Sequence, residues 1–256
     1  MDIANIVDAE IFLDIIYGDR PMHNNAMEFF NRYGKQGLAL ESNVNRMCQR
    51  KILKNAGKFS KDFGTMFFRN IENPGSSTIW DQADKEKRGK LLERFKEKIE
   101  ESTFPNDGGY RSFSLSFIER AKPYILLMDS VHIRQYLQII PASLTDFLST
   151  KIKENFSYLV PVNSADGEDV VKIREKLHGY FSKDVGENGL TLANLISLIL
   201  YGNSAGKKYI CINFFTTDQE FIANFKKIKE DAYTQVPVDG NKVKDALKSI
   251  NFEKPY

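Results

Sequence analysis

Short apolar runs alternate with segments whose apolar residues recur every three or four positions, and this alternation dominates both ends of the chain. Residues 3–7 are mostly apolar and stop at Asp8, the pattern of a buried strand closed by an acid. Residues 11–17 stay apolar and open a short helix. Asp19 and Pro21 signal a second helix start, with Met22, Ala26, Phe29, Phe30 and Tyr33 on its inner face and Gly34 at its end. Residues 38–40 form a second short strand. Ser42 is placed to cap the next helix, whose apolar face is Val44, Met47, Cys48, Ile52 and Leu53 and whose stop is Gly57.

The second half repeats this grammar. Residues 158–162 are a strand, and residues 167–181 a helix with Val170, Ile173, Leu177 and Phe181 inward. Thr191 caps an almost wholly apolar helix over 192–201, closed by Gly202. Residues 209–215 are an unbroken apolar run too short for a helix, hence a buried parallel strand. Asp218 begins a helix to about residue 229. Residues 234–238 make a short strand that Pro237 confines to an edge. Asp239 caps a last helix with Val243, Ala246, Leu247 and Ile250 inward.

Between these halves the character changes. Phe59, Phe63, Met66 and Phe67 continue at helical spacing, residues 73–77 are a turn, and residues 81–101 form a charged helix striped by Leu91, Leu92, Phe95 and Ile99. A loop at 105–109 leads to helical segments over 113–121 and 130–138 and to one capped by Ser143. The division is therefore a core from 1–57 and 157–256 with a mostly helical insertion over 58–156. Strand–helix alternation in the core predicts an α/β fold, a parallel sheet of four or five strands with helices on both faces. Ligands of such sheets bind beyond the carboxyl ends of the strands, where Asp8 and Asp218 both fall.

Composition adds limits. At 42% hydrophobic and 27% charged residues the chain is an ordinary globular protein. No apolar run approaches the roughly 20 residues that cross a bilayer, so no membrane partner and a cytoplasmic location are expected. Cys48 and Cys211 read as free thiols, and with His23, His132 and His178 they have no zinc-like spacing. A net charge of +2 does not by itself demand nucleic acid. A local run does suggest it. Arg46, Arg50, Lys51, Lys54, Lys58 and Lys61 follow one another without an acid, and Arg46, Arg50, Lys54 and Lys58 share one helix face. Such a row tracks a phosphate backbone, or else is a solvated face balanced by Glu86, Glu93, Glu97 and Glu100.

The opening Asn5-Ile6-Val7-Asp8-Ala9-Glu10-Ile11-Phe12-Leu13-Asp14 resembles the first motif of the PIN-domain family, a strand ending in Asp. Thr216-Thr217-Asp218-Gln219-Glu220-Phe221 resembles its last, and Val236-Pro237-Val238 its usual ending. The resemblance covers 1–57 and 157–256. It implies a PIN-like, Rossmann-type three-layer sandwich and a ribonuclease that holds Mg²⁺ or Mn²⁺ on converging carboxylates, since hard divalent ions prefer charged oxygens. Asp8 and Asp218 match the metal-holding and catalytic acids. Two positions depart. The second acid's place falls on Arg46 and the third's on Asn194. An Arg about 5 Å from a divalent ion would repel it by roughly 7 kcal/mol at an effective dielectric of ~20. Glu10, Asp14, Glu41 and Glu220 are the acids available to fill the vacancies.

The implied function is a PIN-like RNA-binding protein with a weakened metal-dependent ribonuclease site. In it Asn194 assists Asp8 and Asp218, and Arg46, Arg50, Lys54 and Lys58 contact RNA. The alternative is a catalytically inactive PIN-like binding or scaffold protein that uses the helical insertion to dock a protein partner or a second copy. A doubly wound nucleotide-binding reading is weaker, because no Gly-rich turn follows the first strand. Both acids also stand where a helix N-cap belongs, and Asn194 in its apolar helix needs a hydrogen-bond partner in any case.

Overall fold

The computed structural model describes residues 2–18, 20–35, 37–71, 82–101, 110–126, 135, 138–139, 146, 149–163, 169–231 and 240–256. The expected turn at 73–77, the loop at 105–109, His132, the Ser143 cap, the edge strand at 234–238 and the Asp239 cap lie outside these residues.

Five parallel strands form the sheet: β1 (Asp2–Val7), β2 (Ala39–Glu41), β3 (Ser157–Leu159), β4 (Tyr209–Phe215) and β5 (Ile250–Glu253), in the order β3-β2-β1-β4-β5. Described helices include α1 (Ala9–Ile16), α2 (His23–Tyr33), α3 (Ser42–Ile71), α4 (Gln82–Glu101), α5 (Tyr110–Ile125), α6 (Val170–Val185), α7 (Asn188–Leu200), α8 (Gln219–Asp231) and α9 (Gly240–Lys248). No described helix is long and apolar enough to cross a membrane.

Strand β4 shows why the sheet is covered on both faces. Successive side chains of a strand point to opposite sides. Phe214 meets Phe221 of α8 at 6.0 Å and Phe252 of β5 at 5.2 Å. Phe215, its neighbour, meets Phe29 and Tyr33 of α2 at 4.9 and 5.4 Å. Phe214 and Phe215 thus place this strand between two cores, giving a three-layer α/β sandwich. Phe12, Phe30 and Phe156 extend the second core, with Phe156 5.1 Å from Phe12 and 5.5 Å from Phe30.

The chain divides into two compact units. One comprises Met1–Ile16, Asn24–Cys48 and Thr150–Tyr256 and holds the sheet; the other comprises Tyr17–His23 and Gln49–Ser149. In the second unit α4 and α5 pair through Lys96–Glu119 at 2.9 Å and Lys122–Glu93 at 2.6 Å, and Arg88, 2% exposed, donates to the carbonyl of Ile125 at 2.9 Å.

Several boundaries differ from the sequence expectation. Helix α3 does not stop at Gly57 but runs to Ile71. A mid-helix glycine costs about 1 kcal/mol, and burying Phe59 and Phe63, both 0% exposed, returns about 1.5–3 kcal/mol each. Leu53, expected inward, is 41% exposed. Met22, expected on the inner face of α2, precedes that helix and is exposed. Helix α7 begins at Asn188, so Thr191 lies inside it and is no cap. Ile250, expected on the face of the last helix, instead starts β5. At that edge Lys229 Nζ donates to the carbonyl of Ile250 at 3.2 Å, which blunts an otherwise open strand.

Candidate functional site at the strand ends

The order of the sheet reverses between β1 and β4, and in an open parallel sheet this is where the crevice for a ligand lies. Val7 pairs with Phe215, and the Asp8 N–H donates to the Phe215 carbonyl at 2.9 Å, so Asp8 stands beside Thr216. On the other side Ile6 pairs with Ala39, which brings Glu41 alongside Asp8. Glu41, Asp8 and Thr216 therefore make one row across the carboxyl ends of three adjacent strands.

Asp8 and Asp218 belong to one hydrogen-bonded arrangement. Thr216 Oγ1 donates to Asp8 Oδ2 at 2.6 Å and accepts the Asp218 N–H at 3.1 Å. Asp8 Oδ1 accepts the N–H of Ala9 at the start of α1. Asp218 Oδ1 accepts the Phe221 N–H at 2.9 Å, an N-cap for α8, and Oδ2 accepts Asn188 Nδ2 at 3.3 Å. The capping role and the site position are thus occupied together. Both acids are partly exposed.

Glu41 is different. It is fully buried, and its Oε1 accepts Ser42 Oγ at 2.5 Å, the Asn43 N–H at 2.8 Å and Asn194 Nδ2 at 2.6 Å, with the Val44 N–H 3.4 Å from Oε2. Glu41 rather than Ser42 therefore caps α3, its charge lying against the positive end of the helix. Burial pushes its pKa up from the ordinary 4.5, opposed by these donors, Ser42 first.

Helix α7 reaches all of this with one stripe. Asn188, Thr191 and Asn194 recur every three residues, so they share a face. Asn188 meets Asp218, Thr191 Oγ1 accepts Asn43 Nδ2 at 3.0 Å, and Asn194 meets Glu41. The stripe is held by close packing of α6 on α7. A Cβ on Gly189 would lie 2.5 Å from Ser182 Oγ and 2.7 Å from its backbone nitrogen.

The remaining predicted residues are spread out. Arg46 is exposed and makes no hydrogen bond or ion pair among the described residues. Its charge stands in solvent, where water and salt screen it. Arg50, Lys54 and Lys58 follow on α3 in the second unit, the first two exposed and Lys58 half-buried. Of the substitute acids, Glu220 is exposed, and Asp14 is buried and accepts Tyr256 OH at 2.8 Å. Sequence reasoning missed Asn43, Asn188 and Thr191, although the three-residue spacing of polar side chains in an apolar helix was visible.

Among the described residues no group of three or more His, Cys, Asp or Glu is placed to hold a metal ion. The donor set at the β1/β4 junction is a pair of carboxylates. Such a pair suits Mg²⁺ when phosphate oxygens and waters complete the shell, and it is too small for an all-protein cage. Comparison of the chain with protein-family models, curated proteins and solved structures returns no match.

Proposed function

We propose that this is a PIN-like RNA-binding protein in which Asp8 and Asp218 take up Mg²⁺ or Mn²⁺ together with a phosphate of the bound RNA. The carrying observation is the Asp8–Thr216–Asp218 arrangement, two partly exposed acids of which Thr216 Oγ1 holds the carboxylate of the first and the backbone N–H of the second, where the strand order reverses. A divalent ion held there supplies charge on a phosphoryl oxygen and an acidified water, which is the chemistry of metal-assisted phosphodiester hydrolysis. Asp8 and Asp218 are the residues that would hold it. Thr216 fixes the rotamer of Asp8, Asn188 orients Asp218, and Asn194 keeps Glu41 apart from the pair. Arg46, exposed in the first turns of α3, contacts a phosphate directly.

A second reading has one observation in its favour. Glu41 is committed to four protein donors, and without it the site has two charges where hydrolysis calls for more. On that reading the protein binds RNA, or a protein partner through its helical unit, and cleaves nothing. Incubation of end-labelled single-stranded RNA with the protein separates the two. Cleavage in Mn²⁺, abolished by EDTA and by Asp8→Asn, supports the enzyme; Mn²⁺-enhanced binding without cleavage supports the binding protein. RNA that is neither bound nor cleaved in Mn²⁺ contradicts both as RNA-directed functions.

A further inference from the structure

We infer that the exposed face of α3 in the second unit, built on Arg50, Lys54 and Lys61, is a phosphate-backbone contact surface that takes up single-stranded RNA without a divalent ion and without reading its sequence. This rests on the RNA-binding reading above and deepens it. A helix turns by about 100° per residue, so Arg50 and Lys61 point within about 20° of one another and Lys54 within about 40° of Arg50. All three are exposed, and none makes a hydrogen bond or ion pair among the described residues. Lys58, about 80° away from Arg50 by the same count, is half-buried and engaged.

Of the acids expected to balance this face, Glu86, Glu97 and Glu100 of α4 are exposed and make no ion pair with Arg50, Lys54 or Lys61 among the described residues, and Glu93 is committed elsewhere. Glu93 of α4 pairs with Lys122 of α5 at 2.6 Å, and Glu119 of α5 pairs with Lys96 of α4 at 2.9 Å. No acid occurs between residues 42 and 61 of α3 itself. The face is a single-sign surface whose complement is a polyanion.

The chemistry of the face also limits what it reads. Binding to bases without groove contacts relies on stacking against open aromatic rings. The described rings of α3 are closed to this. Phe59 and Phe63 are both 0% exposed, stack at 5.6 Å and meet Phe95 edge-on at 5.7 and 5.4 Å. Between the cations the surface offers exposed Leu53 and Gly57. Charge on phosphate is what remains. Three contacts to a single strand release counterions with a slope of log K against log salt near −2.

Fluorescence anisotropy of labelled single-stranded RNA in EDTA, over a salt series, tests this. Wild type should bind with a slope of about −2, and Arg50→Ala, Lys54→Ala and Lys61→Ala should each flatten the slope by about 0.7. The triple reversal R50E/K54E/K61E should weaken binding at least about tenfold, with Lys226→Ala on exposed α8 unchanged. Thermal melts verify that each variant is folded. Wild-type binding that the α3 variants leave intact overturns this inference and spares the RNA-binding reading. So does binding that appears only with Mn²⁺, or a preference above about tenfold between uridine-rich and mixed sequences. No binding in EDTA or Mn²⁺ overturns both.

Discussion

The carboxyl ends of β2 and of the β1/β4 pair each carry acid in the same lateral row, and the two have opposite fates. At the end of β2, Glu41 is sealed: 0% exposed, with four donors on one carboxylate and an amide of α7 over it. At β1 and β4, Asp8 and Asp218 keep part of their surface open. A carboxylate whose charge is already answered by protein donors gains little from a metal ion and contributes to stability instead. One whose charge faces a crevice contributes less to stability and is available to a ligand. The same residue type thus serves the fold on one strand and the site on the next.

The largest effect expected from this contrast is on stability. Glu41→Ala leaves Asn194 and the Asn43 N–H buried without an acceptor, and should cost about 3 kcal/mol in urea unfolding. Gly189→Ala should cost about 2 kcal/mol in the same measurement, because α7 must move away from the Ser182 backbone. It should also loosen Asn188 and Asn194 from their acids. Thr216→Val keeps the shape and removes the hydroxyl that binds the Asp8 carboxylate and the Asp218 N–H, at a cost of about 1 kcal/mol. Its larger effect should be on Mn²⁺ uptake in the presence of RNA. Asp218→Asn is the smallest in stability, within about 0.5 kcal/mol, since Asn caps a helix about as well as Asp.

Acid should sharpen the difference further. Burial raises the folded pKa of Glu41 above 4.5, so the folded state holds this proton more tightly than the unfolded chain. Its contribution is fully present below 4.5 and is lost as pH rises through the raised value. The stability of wild type relative to Glu41→Gln should therefore grow as pH falls from neutral toward 4.5, in urea unfolding at several pH values. A gap that shrinks on acidification would mean that the four donors outweigh burial.

Much of the frame was legible in the sequence. The mostly apolar run of residues 209–215, flanked by helical periodicity, defined β4, and the acids after β1 and β4 were visible as punctuation. The rest depended on what the chain meets in space. Ile250 falls in helical register with Val243, Ala246 and Leu247, so the four-residue β5 was hidden inside a helix pattern. Glu41 next to Ser42 looked like a residue before a cap, and only the arrival of Asn194 from 153 positions away shows it as the buried acid of the row. Gly57 marked a stop that burial of Phe59 and Phe63 overrode.

The most direct measurement is calorimetric titration of Mn²⁺ into the protein already saturated with a short RNA, with Asp8→Asn, Asp218→Asn and Glu41→Gln beside it. The account predicts uptake by wild type that is lost in both aspartate variants and kept in Glu41→Gln. Uptake lost with Glu41→Gln and kept without Asp8 or Asp218 would contradict it.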